Sequence, residues 1–169
     1  MSGPAPDLWS FSLSLYAAPG VAAACLTAQD SQGADVNLLL WAVWLAVQGH
    51  DLTAEEVAEA EAAVGPWREE VVWPLRAVRR RLKTGPRPAP DQDTESLRMQ
   101  VKAAELEAEK AQQSLLQTLP RQRRTEGAVA DLLHANLSLL PGGAVVAAVT
   151  IPLHADLRDG LDAVLGSPA

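Results

Sequence analysis

The chain has 169 residues, of which 48% are hydrophobic and 21% charged, and its formal net charge is -7. These proportions suit a globular chain with one buried core, and so acidic a balance excludes a general nucleic-acid coat. The most apolar run, Val36 to Val47, is well short of the roughly 20 residues needed to cross a bilayer, so it reads as a core helix and not as a membrane span.

Taken in chain order, the elements are helical throughout. Asp7 can cap a first helix over 8–18, with Leu8, Phe11 and Leu15 on one stripe. Pro19-Gly20 breaks it, and a second helix follows over 20–31, ended by Gln32-Gly33. The lone cysteine, Cys25, sits there among Val21, three alanines and Leu26, the surroundings of a buried, inert thiol. Asp35 is placed to cap a third helix over 36–48, apolar nearly all round and therefore central. Thr53 with Glu56 forms a capping box for a fourth helix over 54–64. Gly65-Pro66 should end that helix, and a fifth should run from Pro66 to Lys83 with Trp67, Val71, Leu75, Val78 and Leu82 on one apolar stripe, kinked or divided at Pro74.

Composition then changes abruptly. All seven aromatic residues lie within the first 73 positions, and the first 67 contain no Lys or Arg. Residues 84–91 hold three prolines in five positions, which predicts an extended, mobile linker. The chain is divided accordingly: an aromatic-rich core over 1–84, a Pro-rich linker over 85–93, and an Ala/Leu-rich part over 94–169 that packs on the first as one domain. In the last part, Asp93 or Thr94 caps a long helix reaching Leu119. Leu97, Val101, Ala104, Ala108, Ala111 and Leu115 repeat along it as a heptad seam, which predicts a partner surface and, as one option, a homodimer through Leu97–Leu115. Further helices are predicted over 126–140 and 153–165. The segment 144–151 is read as helix, because its β-branched residues have no second strand to pair with. The expected fold is an all-α, irregular bundle of about seven or eight helices.

Two constellations could carry function. Arg76, Arg79, Arg80 and Lys83 fall on one helix face, with no acid three or four residues away. That face is either solvated or paired with acids elsewhere in the fold, or it is a site for an anion or an acidic partner. Asp30 and Asp35 are the obvious internal acids. Either Asp35 is a cap and Asn37 a turn residue, or Gln29, Asp30, Asp35 and Asn37 form a polar pocket facing the arginines. Metal ligation is not expected: the histidines are His50, His134 and His154, and no Glu-x-x-His occurs. No nucleophile–base motif and no glycine-rich phosphate loop is present, so no cofactor is expected.

The strings Leu8-Trp-Ser-Phe11, Pro19-Gly-Val-Ala-Ala-Ala-Cys-Leu26, Gln29-Asp30, Gly33-Ala-Asp-Val-Asn-Leu-Leu-Leu40, Trp67-Arg68 and Pro74-Leu-Arg-Ala-Val-Arg-Arg-Arg-Leu-Lys83 resemble a family of small bacterial proteins of unknown function, common in proteobacteria. The resemblance covers about residues 7–83. It implies a cytoplasmic helical protein and no particular activity. It marks Asp30, Asp35, Asn37, Trp67, Arg68, Pro74, Arg76 and Arg80 as motif positions. The leading expectation is a non-enzymatic interaction protein that docks a partner on the basic face. The alternative is a small-ligand-binding protein or enzyme that holds an anion among Asp35, Asn37, Trp41, Arg76 and Arg80.

Overall fold

The computed structural model describes residues 6–120 and 126–155. Over these the chain is all-helical: α1 (Leu8–Ala17), α2 (Val21–Gln32), α3 (Val36–Val47), α4 (Ala54–Trp67), a π-helical turn (Arg68–Val72), α5 (Trp73–Arg81), α6 (Gln92–Thr118), α7 (Val129–Ser138) and α8 (Gly143–Thr150). The segment at 144–151 is therefore helix. The predicted last helix falls mainly on residues 156–169, outside the described residues.

The starts follow local chemistry. The Asp7 carboxylate accepts from Ser10 N at 3.0 Å, and that hydrogen bond holds its pKa below the usual range. Thr53 and Glu56 form the reciprocal capping box. Asp91, paired with Thr94, caps α6, two residues earlier than the sequence suggests. α2 ends on Gly33 at φ 63, which turns the chain so that Asp35 can cap α3.

α3 is the centre of the molecule. Every residue from Asn37 to Val47 is buried. α1, α2, α6, α7 and α8 all pack against it, and α8 also packs on α2. One buried cluster joins Leu8, Leu15 and Leu39 with Leu116, Leu133 and Leu137, so the core draws on both sides of the Pro-rich segment. Asn136 ties α7 to the end of α3. Its Oδ1 accepts from Leu52 N at 2.9 Å, and its Nδ2 donates to His50 O at 2.9 Å and Ala42 O at 3.2 Å. Cys25 is buried, which pushes its thiol up to about 11.

Two expectations need correction. Gly65-Pro66 does not break the chain: Pro66 lies inside α4 on its exposed face, where water can take the carbonyl bond that the ring leaves open. The discontinuity comes at the π turn, where Trp73 N–H reaches back to Arg68 O and Pro74 then begins α5 without loss. The wider turn rotates all that follows by roughly 100° relative to a regular helix. The stripe from Trp67 to Leu82 is therefore not continuously buried: Trp67 and Val78 are exposed, and only Val72 of the π turn is fully inside. The second correction concerns the linker. Residues 84–91 form compact turns, with Gly85 N donating to Arg81 O at 3.2 Å and Ala89 N to Pro86 O at 2.8 Å, and they fold α5 back onto α6.

Candidate functional site

α6 meets the bundle along Thr94, Glu105, Ala108, Gln112, Gln113 and Leu116, its buried face. Of the predicted seam, Ala108 is buried, whereas Leu97, Ala104, Ala111 and Leu115 are exposed. The buried stripe is thus largely polar, and its partners explain why.

Glu105 is the acceptor for two arginines of α5. Arg76 Nε donates to Oε1 at 2.8 Å, Arg79 Nη2 to the same oxygen at 3.2 Å, and Arg79 Nε to Oε2. Arg76 Nη2 also reaches Glu109 Oε1 at 2.7 Å. The basic face is therefore not uncompensated. The neutralising acids lie 29 and 33 residues away in sequence, on another helix, where inspection of α5 alone cannot see them. Burial works to raise the Glu105 carboxyl, but the Arg79 and Arg76 hydrogen bonds outweigh it and hold the pKa below its usual value. At Glu109 burial wins over the attraction of Arg76, and the pKa is raised.

Asp35 does two jobs. Its Oδ1 caps α3, accepting from Asn37 N at 2.9 Å and Leu38 N at 3.3 Å. Its Oδ2 accepts from Arg68 Nη1 at 3.1 Å and from Gln112 Nε2 at 2.7 Å. Arg68 also donates to Glu61 at 2.8 Å and lies 5.3 Å from the Trp73 ring centroid. The arginine that serves Asp35 is thus Arg68 of the π turn, not Arg76 or Arg80. Asp30 pairs with Arg80 at 3.3 Å in an exposed contact. Asn37 is buried and accepts from Gln113 Nε2 at 2.9 Å.

Above this layer lies a cleft of about 330 Å³ between α1, α2, α3, α5 and α6. Its walls carry Trp9, Leu13, Tyr16, Leu26, Val36 and Leu40, with Leu106 closing the α6 side. Four cations (Arg76, Arg79, Arg80 and Lys102) face two carboxylates (Glu105 and Glu109) along it. Ser12, Gln29, Asn37 and Gln113 complete the lining. A shallower hollow on the other side of Arg76 and Arg80 is lined by Asp30 and Trp73.

Of the residues predicted to share a site, the structure brings Asn37, Arg76, Arg79 and Arg80 to the cleft. Asp35 and Arg68 form the ion network behind it. Trp41 is buried and lines a separate, much smaller space with Leu45, Leu52 and Leu119. Trp67 donates its indole N–H to Ala108 O at 2.9 Å, anchoring α4 to α6. Lys83 is exposed at the end of α5. Sequence reasoning missed Ser12, Glu105, Glu109 and Gln113. The available signal was Glu105-x-x-x-Glu109 and Gln112-Gln113, which flank the apolar seam on one side.

Among the described residues no group of three or more His, Cys, Asp or Glu side chains gathers as a metal site. No single described helix is long and apolar enough to cross a membrane; α1 and α2 meet that measure only together, and they are bent by 101°.

No curated protein and no solved structure matches this chain. The profile of a family described as "Protein of unknown function (DUF2390)" matches residues 7–116. That span begins at the α1 cap and ends on buried Leu116, so it contains every residue of the cleft and of the Asp35–Arg68 network. The chain belongs to this family of unknown function.

Proposed function

We propose that this chain is a binding protein for a small amphipathic anion, held in the cleft between α1, α2, α3, α5 and α6. The observation that carries this reading is the convergence of exposed apolar side chains on one concave place. Leu13, Tyr16, Leu26 and Leu106 are among the exposed large hydrophobics, and all four line the same cleft. Apolar surface left in a concavity, with a few polar groups converging on it, is the usual form of a small-molecule site. The excess of cations over carboxylates along the rim selects a negative charge. Docking of an acidic partner on the α5 face draws less support, because Arg76 and Arg79 are engaged by Glu105 and Glu109.

Titration with anilinonaphthalene sulfonate, followed by its fluorescence, tests the reading. Saturable enhancement is expected. Leu13→Glu and Leu26→Glu, both at exposed positions, should each weaken it by about tenfold or more without altering the circular dichroism. Absence of saturable binding, or affinity indifferent to both substitutions, would refute it.

A further inference from the structure

The apolar walls and basic rim of the cleft do not account for its innermost polar groups. Ser12 is 3% exposed and Gln113 2% exposed, and both line the cleft. Ser12 Oγ and Gln113 Oε1 have no hydrogen-bond partner among the described residues. Neither is needed for a known structural contact. Ser12 stands in mid-helix on α1, where a small apolar residue would pack as well. Gln113 spends its Nε2 on Asn37 and leaves its carbonyl over. A buried polar group without a partner costs stability, so two of them in one cleft point to a partner that comes from outside.

The two atoms are complementary in kind. A serine hydroxyl can donate, and a glutamine carbonyl only accepts. One group that satisfies both at once is a hydroxyl, which accepts from Ser12 Oγ–H and donates to Gln113 Oε1. At the opposite end of the depth scale lies Arg80, whose side chain is 53% exposed and whose contact with Asp30 is long, at 3.3 Å. Lys102 is exposed on the same cleft. The same cleft thus carries two buried polar atoms without partners, Ser12 Oγ and Gln113 Oε1, beside exposed apolar side chains and two exposed cations, Arg80 and Lys102.

Resting on the reading of the cleft as an anion site, we infer that its ligand is a hydroxylated aliphatic carboxylate, bound with the hydroxyl inward on Ser12 and Gln113 and the carboxylate outward toward Arg80 and Lys102. Ser12 and Gln113 are its specificity-determining residues. A site that presents buried polar atoms to a ligand hydroxyl discriminates strongly against the analogue that lacks it, because those atoms are then left unpaired.

Calorimetric titration of the full chain with ω-hydroxydecanoate and with decanoate tests this. The hydroxy acid should bind about tenfold tighter or better. Ser12→Ala should reduce that preference to about twofold or less without weakening decanoate binding and without lowering the thermal midpoint, since the buried hydroxyl it removes has no partner. Gln113→Met, checked for folding by circular dichroism, should reduce the preference likewise, with a lower thermal midpoint because Asn37 Oδ1 loses its donor. Equal affinity of the wild type for the two acids overturns the hydroxyl assignment and leaves the anion site standing. Preference retained in both variants also overturns it. If neither acid binds and anilinonaphthalene sulfonate does not bind either, the underlying anion site has failed and this inference with it.

Discussion

Glu105 and Glu109 lie one helical turn apart on α6 and share Arg76, yet their carboxyl groups are displaced in opposite directions. Glu109 is raised by burial, with Arg76 opposing and the charges of Glu105 and Asp35 adding to the rise. An acid whose pKa is raised on folding favours its neutral form. Its contribution to stability is complete below the usual 4.5 and is lost as pH climbs through the raised value. Glu105 behaves conversely: its contribution is present above 4.5 and is lost as pH falls through the lowered value. Between the two, Glu109 is protonated while Glu105 still holds Arg76 and Arg79, and the cleft gains one unit of positive charge. Affinity for a sulfonate, whose own charge does not change, should therefore rise as pH falls through the raised Glu109 value and before the lowered Glu105 value is reached. Glu109→Gln should tighten binding at neutral pH by about threefold to tenfold and flatten the pH profile. Parallel titrations across the acid-to-neutral range check this; a flat wild-type profile, or no gain in the variant, would contradict it. Tyr16, whose hydroxyl is also raised by burial, stays neutral throughout this window.

At the scale of elements, α2 forms one wall of the cleft and is itself held by α8. The contact depends on Gly142. Its φ is 74, in the left-handed region, and a Cβ there would come within 2.5 Å of Ala28 Cβ and 3.1 Å of Ala34 Cβ. Its N–H donates to Gln32 Oε1 at 3.0 Å. Gly142→Ala combines left-handed strain with a clash against the α2 backbone region, so we expect a loss of roughly 2–4 kcal/mol in urea unfolding. Because α2 carries Leu26, weaker probe binding should accompany that loss. A variant as stable as the wild type would show that α8 does not lock α2. The helices on the other side of the cleft are governed by the π turn. It lets Pro74 sit in a continuous helical run, aims Arg68 at Asp35, and sends Arg76 and Arg79 toward α6. The α4 capping box, the αL glycine after α2 and the apolar α3 are legible in sequence because each depends on neighbours within a turn or two. The π turn is not, because its only local signs are two prolines eight residues apart, and these equally suggest a break.

For the molecule as a whole, the family match ends in α6, but the core does not. α7 and α8 pack on α3 with Leu132, Leu133, Leu137 and Val146, all buried. Each such side chain is worth roughly 1.5–3 kcal/mol, and together they rival a total stability of about 5–15 kcal/mol. A chain ending at Pro120 should therefore lose its cooperative thermal transition and near-ultraviolet tryptophan signal, and should associate through the bared α3. A monomeric fragment with a sharp transition would show instead that α1–α6 fold alone.

The sequence by itself determined the helical class, the central place of α3, most helix starts and the arginines that matter, with Asp35 but not Glu105 or Glu109 among the acids. These follow from periodicity, capping and composition, which act over short distances along the chain. Only the tertiary structure decided who pairs with whom. It assigned Arg68 to Asp35, gave Arg76 and Arg79 to the acids of α6, buried Trp41 away from the cleft, and left Ser12 Oγ and Gln113 Oε1 inside it without partners. The reason is physical: a charge or an amide can be satisfied by any complementary group that packing brings within about 3 Å, and distance along the chain says nothing about which group that will be.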